Sequence, residues 1–64
     1  MTNNQFVRNT RKRLKAGEGF TLRYGLDKPY FYAVFNIRLR NGYIECSTCE
    51  GWLIGDQTTI TADI

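Results

Sequence analysis

Cys46 and Cys49 are the residues whose type and spacing come nearest to covalent or metal chemistry. Two thiols three apart supply half of a four-ligand zinc site, or a redox pair where a strand runs into a helix. The rest of that toolkit is absent, because the sequence has no histidine and a single serine, Ser47. The usual general base, the commonest metal ligand and every Ser-His or Cys-His nucleophile pair are therefore missing. In an extended strand, residues three apart point to opposite faces with Cα atoms ~10 Å apart, beyond disulfide reach. The expectation is a core Cys46, an outward Cys49, no metal or cofactor in the monomer, and no enzymatic activity.

Binding chemistry is better represented. Arg8, Arg11, Lys12, Arg13 and Lys15 fall within the first sixteen residues, which contain no acid. That segment carries +5 and the remainder −2, giving the net charge of +3. A concentrated positive end on a near-neutral body favours an anionic partner. At 100° per residue, Arg8, Arg11, Lys12 and Lys15 share one face of a helix, while Arg13 falls to one side. Four such bases can hold successive phosphates and release condensed counterions. The same face can equally be a solvated surface that keeps a small domain soluble.

A second set alternates along extended segments. Arg23, Tyr30, Tyr32, Val34, Arg38, Arg40 and Tyr43 are expected on the open face of a sheet. Tyrosines stack on bases while guanidiniums hold phosphates, which suits single-stranded nucleic acid. Tyrosine also favours exposed strands, Arg38 has Glu45 as a ready partner, and dimer interfaces select the same residue types.

The elements that must carry these residues can be read from the pattern. Thr2 to Gln5 matches a capping box, with Met1 and Phe6 at the hydrophobic staple positions. Phe6, Val7, Thr10 and Leu14 form an apolar stripe, and Gly17 suits the left-handed residue that ends a helix. A helix is expected over about 3–16. Asn41-Gly42 is the preferred two-residue hairpin turn, which sets Leu39 opposite Ile44, Arg38 opposite Glu45 and Ile37 opposite Cys46. Strands are expected at about 20–24, 30–40, 43–50 and 58–64. Phe31, Ala33, Phe35, Ile37 and Leu39 would face inward, and a Gly25–Lys28 loop would set Leu22 opposite Phe31. Trp52, Leu53 and Ile54 fall in a connection, and Gly51 marks a bulge. Trp52 is either a core plug or a binding anchor, the core being expected, and at least one of the three should show apolar surface. Ile60, Ala62 and Ile64 would point inward.

The whole is expected to be one α+β domain, residues 1–64, in which the helix packs on a four-stranded antiparallel meander. Its basic face and the open sheet face would then lie on opposite sides. Sixty-four residues bury only ~60% of their unfolded surface, so a homodimer is a plausible aid. No apolar run approaches the ~20 residues of a membrane span, and no secretory signal is visible, so a soluble cytoplasmic protein is expected. The leading expectation is a small binding protein that holds DNA or RNA through the basic helix. The alternative is a compact inhibitor or adaptor of phage or mobile-element type. It would dock on an acidic protein surface of a larger host complex through Arg23, Tyr32, Arg38, Arg40 and Tyr43.

Overall fold

A computed structural model describes residues Met1–Asp63. One helix, α1 (Asn3–Lys15), is followed by six strands: β1 (Phe20–Tyr24), β2 (Tyr30–Ala33), β3 (Asn36–Arg40), β4 (Tyr43–Thr48), β5 (Gly51–Gly55) and β6 (Ile60–Ala62). They form two three-stranded antiparallel sheets, ordered β2-β1-β6 and β3-β4-β5. The fold is therefore α+β, but the expected four-stranded meander is not what forms.

Both ends of α1 follow from local chemistry. The Thr2 hydroxyl accepts from the Gln5 amide, and the Gln5 side chain accepts from the Thr2 amide, both at 3.1 Å. At the other end Gly17 takes φ 92°, its N–H donates to the Leu14 carbonyl, and the Glu18 N–H donates to Arg13. That pair of bonds is a Schellman stop, which needs a left-handed residue at Gly17. Val7 and Thr10 are buried, with Phe6 and Leu14 packed beside them.

The β3–β4 hairpin forms in the expected register, Leu39 opposite Ile44 and Ile37 opposite Cys46, with Asn41 and Gly42 both at positive φ. The β1–β2 hairpin does not. Its loop is one residue longer, so Leu22 faces Tyr32 and Arg23 faces Phe31. A slip of one residue sends every side chain to the other face. Tyr32 consequently shares the inner side with buried Leu22, and Phe31, expected inward, is 68% exposed.

The segment expected as one strand over 30–40 is two strands in different sheets. The Val34 N–H still donates to Phe20 in the first sheet, while that of Phe35 donates to Ser47 in the second. The crossing shifts the alternation, so Val34 is buried rather than outward, and Phe35 is exposed rather than inward. A further strand, β5, arises where a connection was expected. Cys49 and Glu50 reverse the chain, and Gly51, at φ 91°, lies opposite Thr48. The glycine does mark an irregularity, but at a hairpin end. The left-handed residue closing such a tight reversal is the usual place for glycine.

Asp56 organises the next turn by accepting from the Thr58 and Thr59 amides at 2.8 and 2.9 Å. That returns β6 to pair with β1 rather than to extend the sheet beyond β4. Ile60 is buried as expected, whereas Ile64 lies outside the described residues. The core is Val7, Phe20, Leu22, Val34, Ile37, Ile44, Cys46 and Ile60, drawn from the helix and both sheets. Where β5 passes the first sheet, the approach is close at Gly55. A Cβ on Gly55 would lie 2.8 Å from Leu22 Cδ1 and 3.1 Å from Ile60 Cδ1. Among the described residues no helix is long and apolar enough to cross a membrane.

Candidate nucleic-acid interface

α1 lies along β3, one edge of the second sheet. Its Asn3 side chain donates to the Gly42 carbonyl at the hairpin turn, and Leu14 and Lys15 reach the opposite end beside Phe35 and Asn36. An edge strand offers unpaired backbone groups that invite other strands. Here both polar groups of Ile37 are taken by side chains. Its N–H donates to Asn36 Oδ1, and its carbonyl accepts from the Arg11 guanidinium, each at 2.8 Å. Arg11 thus has a structural duty that the charge pattern alone did not disclose.

The other bases of α1 divide by partner. Arg13 pairs with Glu18 at 2.7 Å and lies 4.9 Å from the Phe20 ring centroid. That hydrogen bond raises the Arg13 pKa and lowers that of Glu18. Arg8, Lys12 and Lys15 are exposed and have no ion-pair partner among the described residues. With Arg11, Gln5 and Asn9 they surround a shallow depression of about 390 Å³ on the outer side of the helix. The four bases expected to share a face do share it.

Arg11 and Lys15 also line a second hollow, an open groove of about 600 Å³ between α1 and the second sheet. Its other walls are Leu14, Phe35, Asn36, Ile37, Arg38 and Trp52. Phe35 is 64% exposed and Trp52 39% exposed. The Arg38 guanidinium lies 3.8 Å from the Trp52 ring centroid, while its Nε donates to Glu45 at 2.7 Å. Arg38 is therefore fixed in a layer on the indole by a charge-assisted bond, leaving its terminal nitrogens unused among the described residues. Trp52, expected in the core, instead lies on the outer face, and Ile54 is also exposed.

The groove corrects the placement of the two candidate surfaces. The basic helix and the outer face of the second sheet are neighbours, joined by Arg11 and Lys15, and are not on opposite sides. The Tyr/Arg sheet face, by contrast, divides. Arg38, Arg40 and Tyr43 lie on the outer face of β3 and β4, with Arg40 opposite Tyr43 beside the hairpin turn. Tyr32 belongs to a separate cluster with Tyr24 and Tyr30, its ring centroid 6.4 Å from each. Desolvation, then the Glu50 charge, raises the Tyr32 pKa. Arg23 points to the face opposite Tyr32 and borders a hollow with Tyr24, Leu26 and Ile54.

Phe35 is the member of the groove that sequence reasoning missed as a binding residue, and Trp52 the one it favoured for the core. One signal existed: each has one adjacent apolar residue, Val34 or Leu53, that competes with it for the core. The cysteines lie outside the groove. Cys46 is buried, which pushes its thiol pKa to about 11, and Cys49 is exposed. No protein-family model matches the chain, and neither curated proteins nor solved structures show a significant relative.

Proposed function

We propose that this chain is a small non-enzymatic protein that binds nucleic acid through the basic face of α1 and the groove beside it. The observation that carries the reading is that the two hollows share Arg11 and Lys15 as walls. Arg8, Lys12 and Lys15 stand unpaired on the helix, and Arg11 and Lys15 lead directly to the exposed rings of Phe35 and Trp52. No acidic residue lines either hollow. Unpaired cations supply sequence-independent, salt-dependent attraction to phosphates, and adjoining aromatic rings supply contact with bases. A solvated helix face explains the charges but gives no reason for Phe35 beside them.

The protein-docking alternative rests on a Tyr/Arg face, and Tyr32 and Arg23 do not share one with Arg38, Arg40 and Tyr43. That leaves it Arg38, Arg40 and Tyr43 on the second sheet, a single tyrosine with two arginines, and the separate Tyr24–Tyr30–Tyr32 cluster, which has no comparable charge signal. Fluorescence anisotropy of labelled mixed-sequence DNA and RNA tests the nucleic-acid reading. Binding is expected at about 50 mM salt and should weaken steeply towards about 200 mM. Absence of binding at the lower salt, where surface electrostatics are strongest, refutes it.

A further inference from the structure

We infer that the groove between α1 and β3 takes a single strand of nucleic acid, its unpaired bases stacking on Phe35 and on the Arg38–Trp52 layer. This deepens the nucleic-acid reading and rests on it. In a duplex the base faces are hidden in the stack, so exposed aromatic rings beside the phosphate-binding residues reach them only at the cost of unstacking. In a single strand they are available, and each base offers a face to any ring it meets. Phe35 is where that chemistry is least explained by packing. It stands at the crossing between the sheets, 64% exposed, while adjacent Val34 fills the core in its place.

The rest of the groove suits the same occupant. The Arg38 guanidinium lies over Trp52 at 3.8 Å while its Nε is bonded to Glu45, and guanidinium planes serve as stacking platforms for unpaired bases. Arg11 spends one donor on the Ile37 carbonyl, and a guanidinium carries five, so donors remain for phosphate. Lys15 provides a further cation at the mouth, and no acid lines the groove. The volume of about 600 Å³ falls in the range of ~300–1,000 Å³ that accommodates small ligands. The chemistry recognised, an unpaired base on a polyanionic backbone, is common to RNA and DNA.

Trp52 is the sole tryptophan, so its emission reports directly on the groove. The intact protein would be titrated with oligo-dT and oligo-U of about ten nucleotides, a length typical for small single-strand sites. A mixed-sequence duplex of similar charge serves as comparison. Either single strand should quench Trp52 and bind about tenfold or more tightly than the duplex. The better of the two identifies DNA or RNA as the preferred form. Phe35→Ala should weaken single-strand binding roughly 5- to 100-fold, and Phe35→Tyr should restore most of it. Arg38→Lys keeps the charge but loses the plane, and should fall with Phe35→Ala. Circular dichroism should be unchanged in all three, because none of the substituted side chains belongs to the buried core. Equal or tighter duplex binding, without quenching and indifferent to Phe35→Ala, overturns the inference while leaving the broader reading intact. Quenching by polyglutamate but by neither oligonucleotide overturns it in favour of an acidic protein partner. No binding to any nucleic acid defeats both.

Discussion

Replacing Arg8, Lys12 and Lys15 together by Gln separates local from global electrostatics. These are the α1 bases without a partner, whereas Arg11 and Arg13 are committed to the Ile37 carbonyl and to Glu18. Gln is nearly as good a helix former as Lys or Arg, and the Val7–Thr10 stripe is untouched. Lys12 and Lys15 do sit in the last turn, where each favours the helix dipole by roughly 0.3–1 kcal/mol. The fold should therefore survive with a melting temperature lowered by about 4–8 °C per kcal/mol lost. Binding should change far more. Each single-strand phosphate contact contributes about 0.7 to the slope of log affinity against log salt, so three contribute about 2. Between about 50 and 200 mM salt, the variant's affinity loss should then be roughly 18-fold smaller than that of the parent, and about 40-fold smaller on a duplex.

The triple variant has no net charge, so a matched control is needed. Arg23, Lys28 and Arg40 changed to Gln remove the same +3 from positions that line neither hollow. Anisotropy titrations of parent, variant and control at several salt concentrations give the three slopes. The control should keep most of the parent slope. If the two triples flatten it equally, net charge alone drives binding and the assignment to α1 is refuted.

Three further outcomes test the frame that holds the site. Gly42, at φ 79°, closes the β3–β4 hairpin, so Gly42→Val should cost about 1–2 kcal/mol in chemical denaturation, because a left-handed β-branched residue is strained; an unchanged midpoint would contradict the turn. Gly55→Ala pushes a methyl against Leu22 and Ile60 and should cost about 1–3 kcal/mol by overpacking, whereas a neutral result would mean that the sheets do not meet there. At pH 8 a thiol reagent should modify Cys49 in the folded protein, and Cys46 only after unfolding. The Cys46 pKa is raised by burial, so its contribution to stability is complete below the ordinary thiol pKa of about 8.5 and is lost as pH climbs towards about 11. Equal labelling of both cysteines in the native state would refute its burial.

The parts legible in the sequence are those where backbone chemistry leaves one solution. Thr2 and Gln5 define the helix start, Gly17 its end, and Asn41-Gly42 a register that alternating Ile37, Leu39, Ile44 and Cys46 support. Tyr30-Phe31-Tyr32 offers no such constraint. Three consecutive aromatics carry no period-two signal, so loop length alone decides their faces, and one residue reverses them all. Val34-Phe35 conceals the crossing between sheets for the same reason, since either residue can fill a core. Trp52-Leu53-Ile54 lacks alternation too, and β5 emerges only because Gly51 can turn left-handed after Cys49 and Glu50. The basic half of the site was therefore visible as charge, while its aromatic half depended on two registers that the residues alone leave open.

The same geometry joins stability to binding at Arg11. A bare β3 edge would leave the Ile37 carbonyl unpaired and open to another strand. An apolar helix residue cannot satisfy that carbonyl, and an acid would repel it. A lysine offers a compact ammonium that can serve the carbonyl or a phosphate, but lacks a planar fork to divide between them. Arginine can do both at once, with one nitrogen on the backbone and further donors left over. Protecting the edge needs a donor at this position, and arginine makes that donor a cation beside the groove. The helix that shields β3 thereby brings its charge to Phe35 and Trp52, and a ligand held there by Arg11 would tighten α1 against the sheet rather than compete with it.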